Sequence, residues 1–134
     1  MNLYRGLKGS YRTEKVGEGQ ALHFGTNFTD CPLTALSYAK GTRGVVIVLD
    51  VPESAAHLMS EELWPDSHAR RLMVWGRFDD WIIAVFPAKQ LRQVIRQHGI
   101  AAESDETKVY YLHNAIQNEI NPRPKTPYSS SSGR

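Results

Sequence analysis

The sequence predicts an α+β fold, a single small domain with antiparallel strands in front and helices behind. Three observations carry this. Gly44 to Val51 (GVVIVLDV) is a continuous β-branched run, the mark of a strand buried on both faces. Strand-like segments crowd the chain before Pro87, whereas helical periodicity gathers after Ala88. The chain has 134 residues, 41% hydrophobic and 22% charged, which suits one ordinary globular core and not two.

The elements follow in order. Asn2 to Arg5 is a short strand ending at Gly6, and Leu7 to Gln20 is a polar, glycine-containing loop. Ala21 to Phe24 is a second short strand. Asp30 or Cys31 caps a helix, with Pro32 in its first turn, where a missing N–H costs nothing. Leu33, Leu36 and Ala39-Lys40 carry that helix to a stop at Gly41. After the central strand, Pro52 breaks the chain, and Glu53 to Arg70 reads as a short helix and a loop. Arg71 to Trp75 and Trp81 to Phe86 are strands separated by the turn Gly76 to Asp80, a spacing that predicts an antiparallel hairpin. Ala88 to His98 is a helix with Leu91, Val94 and Ile95 on one face and Gly99 behind it. Ser104 caps a last helix, on which Val109, Leu112, Ile116 and Ile120 form one stripe. The domain is expected to span 1–120. Residues 121–134, with three prolines and four consecutive serines, form a flexible tail that a partner could order.

Composition excludes several classes of function. A net charge of +2 is too small to argue for nucleic-acid binding, and Arg70-Arg71, the densest basic point, reads as a solvated face. One cysteine, Cys31, leaves no intrachain disulfide and fits a reducing compartment. Met1 to Lys8 carries no apolar leader, and no apolar run approaches the length of a membrane span, so a cytoplasmic protein is expected. His23, His57 and His68 lack metal-ligand spacing, so no metal is expected.

Three segments stand out chemically. Leu3-Tyr4-Arg5-Gly6 places a planar, five-donor guanidinium at a strand end beside a residue that lets a ligand approach the main chain. Phe24 to Asp30 (FGTNFTD) supplies backbone and small polar groups, and Tyr38 on the following helix offers a ring for stacking. Taken singly, Arg5 is equally a salt-bridged surface arginine, Thr26 and Asn27 turn formers, and Tyr38 a rim residue.

In order and spacing these segments resemble the ADP-ribosyltransferase superfamily. Gly25-Thr26-Asn27-Phe28-Thr29-Asp30 matches the Gly-x-Tyr-Phe-[Ala/Thr]-Asp motif of the poly(ADP-ribose) polymerase and diphtheria-toxin branch, with Asn27 where a tyrosine is expected. Tyr38 lies at the distance of that branch's second stacking tyrosine. Arg5-Gly6 is closer to the apolar-Arg-Gly opening of the cholera-like, arginine-specific toxins, of whose Ser-Thr-Ser strand only Thr29 remains. The resemblance implies split antiparallel sheets with flanking helices and NAD as substrate. It implies ADP-ribose transfer to a protein or nucleic-acid target. Tyr4, Arg5, Gly6, Thr26, Asn27, Thr29 and Tyr38 would contact NAD, with Gly6 holding the nicotinamide amide. The strand Arg71-Leu72-Met73-Val74-Trp75 would lie beside the Arg5 strand and carry the catalytic glutamate, but Arg71 or Leu72 occupies that position. Arg5 with Glu61 or Glu62 would then form the catalytic group. The alternative is a binding module, an inhibitor or immunity-type protein, that keeps the fold without the chemistry.

Overall fold

A computed structural model describes residues 1–8, 26–63, 70–74 and 78–121. Among the described residues, six strands form one antiparallel sheet: β1 (Asn2–Leu7), β2 (Thr26–Thr29), β3 (Val45–Asp50), β4 (Met59–Leu63), β5 (Arg70–Val74) and β6 (Ile82–Pro87), in the spatial order β4-β5-β2-β1-β3-β6. Among the same residues, three α-helices accompany it: α1 (Pro32–Tyr38), α2 (Ala88–Gln97) and α3 (Asp105–Ile120). The α+β class therefore holds. Among the described residues no helix is long and apolar enough to cross a membrane.

The strands join one sheet, not two separate ones, but its two halves are stitched very unequally. β1 and β3 run in register from Asn2↔Asp50 to Leu7↔Val45, and β2 and β5 from Thr26↔Val74 to Thr29↔Arg71. Between the halves, β1 and β2 share the single registered pair Tyr4↔Thr29.

Alternation along each strand sends side chains to two cores. On one face Leu3, Phe28, Ile47, Leu49, Leu72 and Val74 pack with Val51, Ala55 and Phe78, so this core runs beneath both halves. Phe28 and Phe78 meet edge to face, with ring centroids 5.0 Å apart. On the other face Tyr4, Val46, Val48 and Phe86 pack against Leu36 of α1, Leu91 of α2 and Leu112 and Ile116 of α3. Of the stripes expected of α2 and α3, Leu91, Leu112 and Ile116 are buried here, and Val94, Ile95 and Ile120 pack partly buried against them. The Ser104 hydroxyl caps α3 by accepting from the Thr107 amide at 3.3 Å.

Helix α1 begins as the sequence suggests, with Pro32 in its first turn, but its N-cap residue, Cys31, makes no side-chain cap hydrogen bond. Instead the Thr29 hydroxyl accepts the Cys31 amide at 3.1 Å. The chain leaves α1 through Gly41, whose φ of +87° is a left-handed conformation that favours glycine.

Several sequence expectations are corrected. The hairpin from Leu72 to Phe86 does not form: β5 pairs with β2 and β4, while β6 pairs with β3 at the far edge. The Arg71 strand does not lie beside the Arg5 strand, because β2 intervenes. Thr26 to Thr29 is a strand and not a turn, and Met59–Leu63, within the segment read as short helix and loop, is an edge strand. The short helix itself is present as a 3-10 segment, Glu53–Leu58. The expected strand Ala21 to Phe24, residues Trp64 and Trp75, and nearly all of the tail from Asn121 onward lie outside the described residues.

Candidate functional site

On the helix-bearing face, apolar side chains fill the β1-β3-β6 half, but the β2-β5 half presents Asn27, Thr29 and Arg71. Helix α1 sits chiefly over β1, reaches β2 and β3 to a lesser extent, and ends at Tyr38. A cleft of about 590 Å³ opens beside it, lined by Tyr4, Arg5, Gly6, Lys8, Asn27, Thr29, Tyr38 and Arg71. That volume suits a nucleotide-sized ligand.

Arg5 occupies the seam. By alternation it shares its strand face with Leu3, but beyond Tyr4↔Thr29 the two strands are no longer paired. Its guanidinium reaches across and donates from Nη1 to the main-chain oxygen of Asn27 at 2.7 Å. The Arg5 Nε is buried and has no hydrogen-bond partner among the described residues. Burial alone pulls the Arg5 pKa below its ordinary value, yet a guanidinium remains cationic at neutral pH. A buried N–H of a partly buried guanidinium is costly to leave without an acceptor.

Asn27 holds a second arginine. Its side-chain Oδ1 accepts from Nε of Arg71 at 3.1 Å, while its main-chain oxygen accepts from Arg5. Lys8 adds a third cation to the rim, and no carboxylate is found among the described lining residues. Arg71 is thus a cleft residue, which corrects its reading as part of a solvated face. Sequence reasoning looked only for an acid at that position; the signal that could have found Arg71 is its place in the strand opposite Thr29.

The other expected site residues divide. Arg5, Gly6, Asn27, Thr29 and Tyr38 all line this one cleft. Tyr38, at the end of α1, is 54% exposed and available for stacking. Tyr4 borders the cleft only as a wall: it is 1% exposed, packed in the helix-side core, and burial raises its phenol pKa despite hydrogen bonds with Asn2 and Gln117. Gly6 has a packing role of its own. A Cβ there would run into the carbonyl of Ala35 and crowd the amide of Ala39, so glycine lets α1 sit directly on β1. The backbone of Thr26 pairs with Val74 at the end of β2 away from the seam. In the β4–β5 ladder Glu62 stands opposite Arg71, and Glu61 opposite Leu72.

The Nδ1 of His57 lies 3.1 Å from the Ser54 carbonyl oxygen. Among the described residues there is no cluster of three or more metal-ligating side chains. No known family model, curated protein or solved structure matches this chain.

Proposed function

We propose that this cleft binds NAD and that the protein is a divergent mono-ADP-ribosyltransferase acting in the cytoplasm on a protein or nucleic-acid target. The observation that carries the reading is the convergence of Arg5, Gly6, Asn27, Thr29 and Tyr38, distant in sequence, on one nucleotide-sized cleft. All but Asn27, which stands where the motif has a tyrosine, are positions at which the sequence resembles the transferase superfamily.

In this reading Arg5 holds the phosphate or ribose of NAD, and Tyr38 stacks on the nicotinamide ring. The bond between nicotinamide and ribose C1′ breaks, and its electron pair leaves with the ring nitrogen. A target nucleophile attacks the cation left at C1′ and gives up its proton to solvent. A carboxylate stabilises that cation. Directly opposed residues of an antiparallel ladder belong to the same sheet face. Glu62, opposite Arg71, therefore holds the register position on the cleft face, whereas Glu61 is paired with a core residue. Glu62 is the acid of choice in this chain.

The test is incubation of the purified protein with labelled NAD and cell lysate. Label is expected on a macromolecule, lost with Glu62→Gln and unaffected by Glu61→Gln. Absence of both label transfer and NAD binding would sink the proposal. A second reading, a binding module with the fold but no chemistry, is favoured by one observation: Arg71 or Leu72 stands where the resemblance places the catalytic glutamate, and neither is an acid. NAD binding without transfer to any macromolecule would select it.

A further inference from the structure

The sheet ends in two edges of opposite character. At one end β4 carries Glu61 and Glu62, charge of the kind that discourages a further strand. At the other end β6 (IIAVFP) has no charged residue, and its one proline, Pro87, stands last. Its Ile83 and Val85 are 42% and 41% exposed. Among the described residues β6 pairs with β3 alone. The direction of its outer main-chain groups follows from one bond. Along an antiparallel strand the N–H and C=O of a residue point to one side, and those of the next residue to the other. The Ala88 amide donates to the Gly44 carbonyl oxygen at 2.8 Å, continuing the Val45↔Pro87 register. Phe86 therefore also addresses β3, and Val85 turns its N–H and C=O outward. The ladder is regular here, because its register shift falls further on, between Val48 and Leu49. The strand is flanked by exposed charges of opposite sign, Asp80 before it and Lys89 after it.

We infer that β6 is a self-association edge, at which two copies of this chain pair antiparallel about a two-fold axis beside Val85. The occupant is a second copy because the edge complements itself. Pairing about Val85 sets its outward N–H against the C=O of the same residue in the second copy, and the reverse. It lays the exposed apolar side chains of the two strands together and brings the Asp80 end of one to the Lys89 end of the other. Parallel pairing would set like charges side by side. β3 separates β6 from the strands that line the cleft, so the inference is independent of what the cleft binds. The paired stretch is short and falls well below the roughly 1,600 Å² of a standard interface, so a weak dimer is expected, with a Kd on the order of tens of micromolar.

Sedimentation velocity of the full chain from micromolar to millimolar concentration provides the test. The mass is expected to rise from 15.1 kDa to twice that value and no further. Over the same range the exchange of the Val85 amide hydrogen is expected to slow several-fold. Val85→Lys, at an exposed position, is expected to stay monomeric throughout with unchanged circular dichroism. Lys89→Asp is expected to weaken the dimer, and Lys89→Asp combined with Asp80→Lys to restore it; this exchange decides the matter even if Val85→Lys fails to fold. A monomer at every concentration would overturn the inference, as would a dimer that Val85→Lys leaves intact or a double variant that recovers nothing. Growth beyond the dimer would mean head-to-tail pairing of β6 with β4 and would overturn the two-fold arrangement. Uptake of an unrelated extended peptide at β6 by a protein that stays monomeric would overturn it as well.

Discussion

The two halves of the helix-bearing face use the same strand geometry for opposite purposes. In the β1-β3-β6 half, Tyr4, Val46, Val48 and Phe86 meet three helices and are sealed from water. In the β2-β5 half, the equivalent face carries Asn27, Thr29 and Arg71, which line the cleft beside α1. The reverse face does not share this division, since Phe28, Leu72 and Val74 continue the core laid down by Leu3, Ile47 and Leu49. One continuous core thus supports both halves from below, and a polar cleft is left above one of them. Burial and function are separated by face and by half within a single sheet.

That division can be broken or sharpened by substitution, beginning with the largest effect. Phe28→Ala removes a ring from the shared core and its edge-to-face contact with Phe78, and a loss of about 3–5 kcal/mol in urea unfolding is expected. Gly6→Ala drives a methyl group into the backbone of α1, and about 2–3 kcal/mol should be lost although the residue borders the cleft. A stable Gly6→Ala protein that fails only in ligand binding would show that glycine serves the ligand and not the packing.

Tyr4→Phe deletes a buried hydroxyl bonded to Asn2 and Gln117, at a cost of about 1 kcal/mol. Burial raises the phenol pKa in the folded protein above its ordinary 10.0, so the unfolded chain loses this proton first. The Tyr4 contribution is therefore complete below pH 10.0 and is lost as pH rises from there through the raised folded value. Tyr4→Phe should flatten that alkaline slope in pH-dependent unfolding. The smallest effect is expected of Arg71→Gln, whose stability should stay within about 0.5 kcal/mol of wild type because no core contact is removed. A large loss there would mean that the polar half is structural after all.

How much of this was legible in the sequence depended on whether an element's pattern came from burial. The β3 run and the stripes of α2 and α3 declare themselves because water is excluded from whole faces. β2 is harder, since among its described side chains only Phe28 and Thr29 are buried and Thr26-Asn27 has the chemistry of a turn. β4 (MSEEL) has two adjacent glutamates, which break any alternation; its strand character comes from pairing with β5. The false hairpin has another cause. β5 and β6 are neighbours in sequence, and nothing local reveals that β2, β1 and β3 lie between them in the sheet. For the site, Arg5, Gly6, Asn27, Thr29 and Tyr38 were found by motif order. Arg71 and Lys8 were not, because a search for an acid passes over an arginine and a rim lysine has no pattern of its own.

The central claim is that the polar half of the face is a nucleotide cleft. The most direct measurement follows backbone amide resonances of the full chain as NAD is added to millimolar concentration. Shifts are expected to centre on Arg5, Gly6, Asn27, Thr29, Tyr38 and Arg71 and to vanish in Arg5→Lys, which keeps the charge but loses the fork. An unchanged spectrum, or shifts confined to α2 and α3, would contradict it.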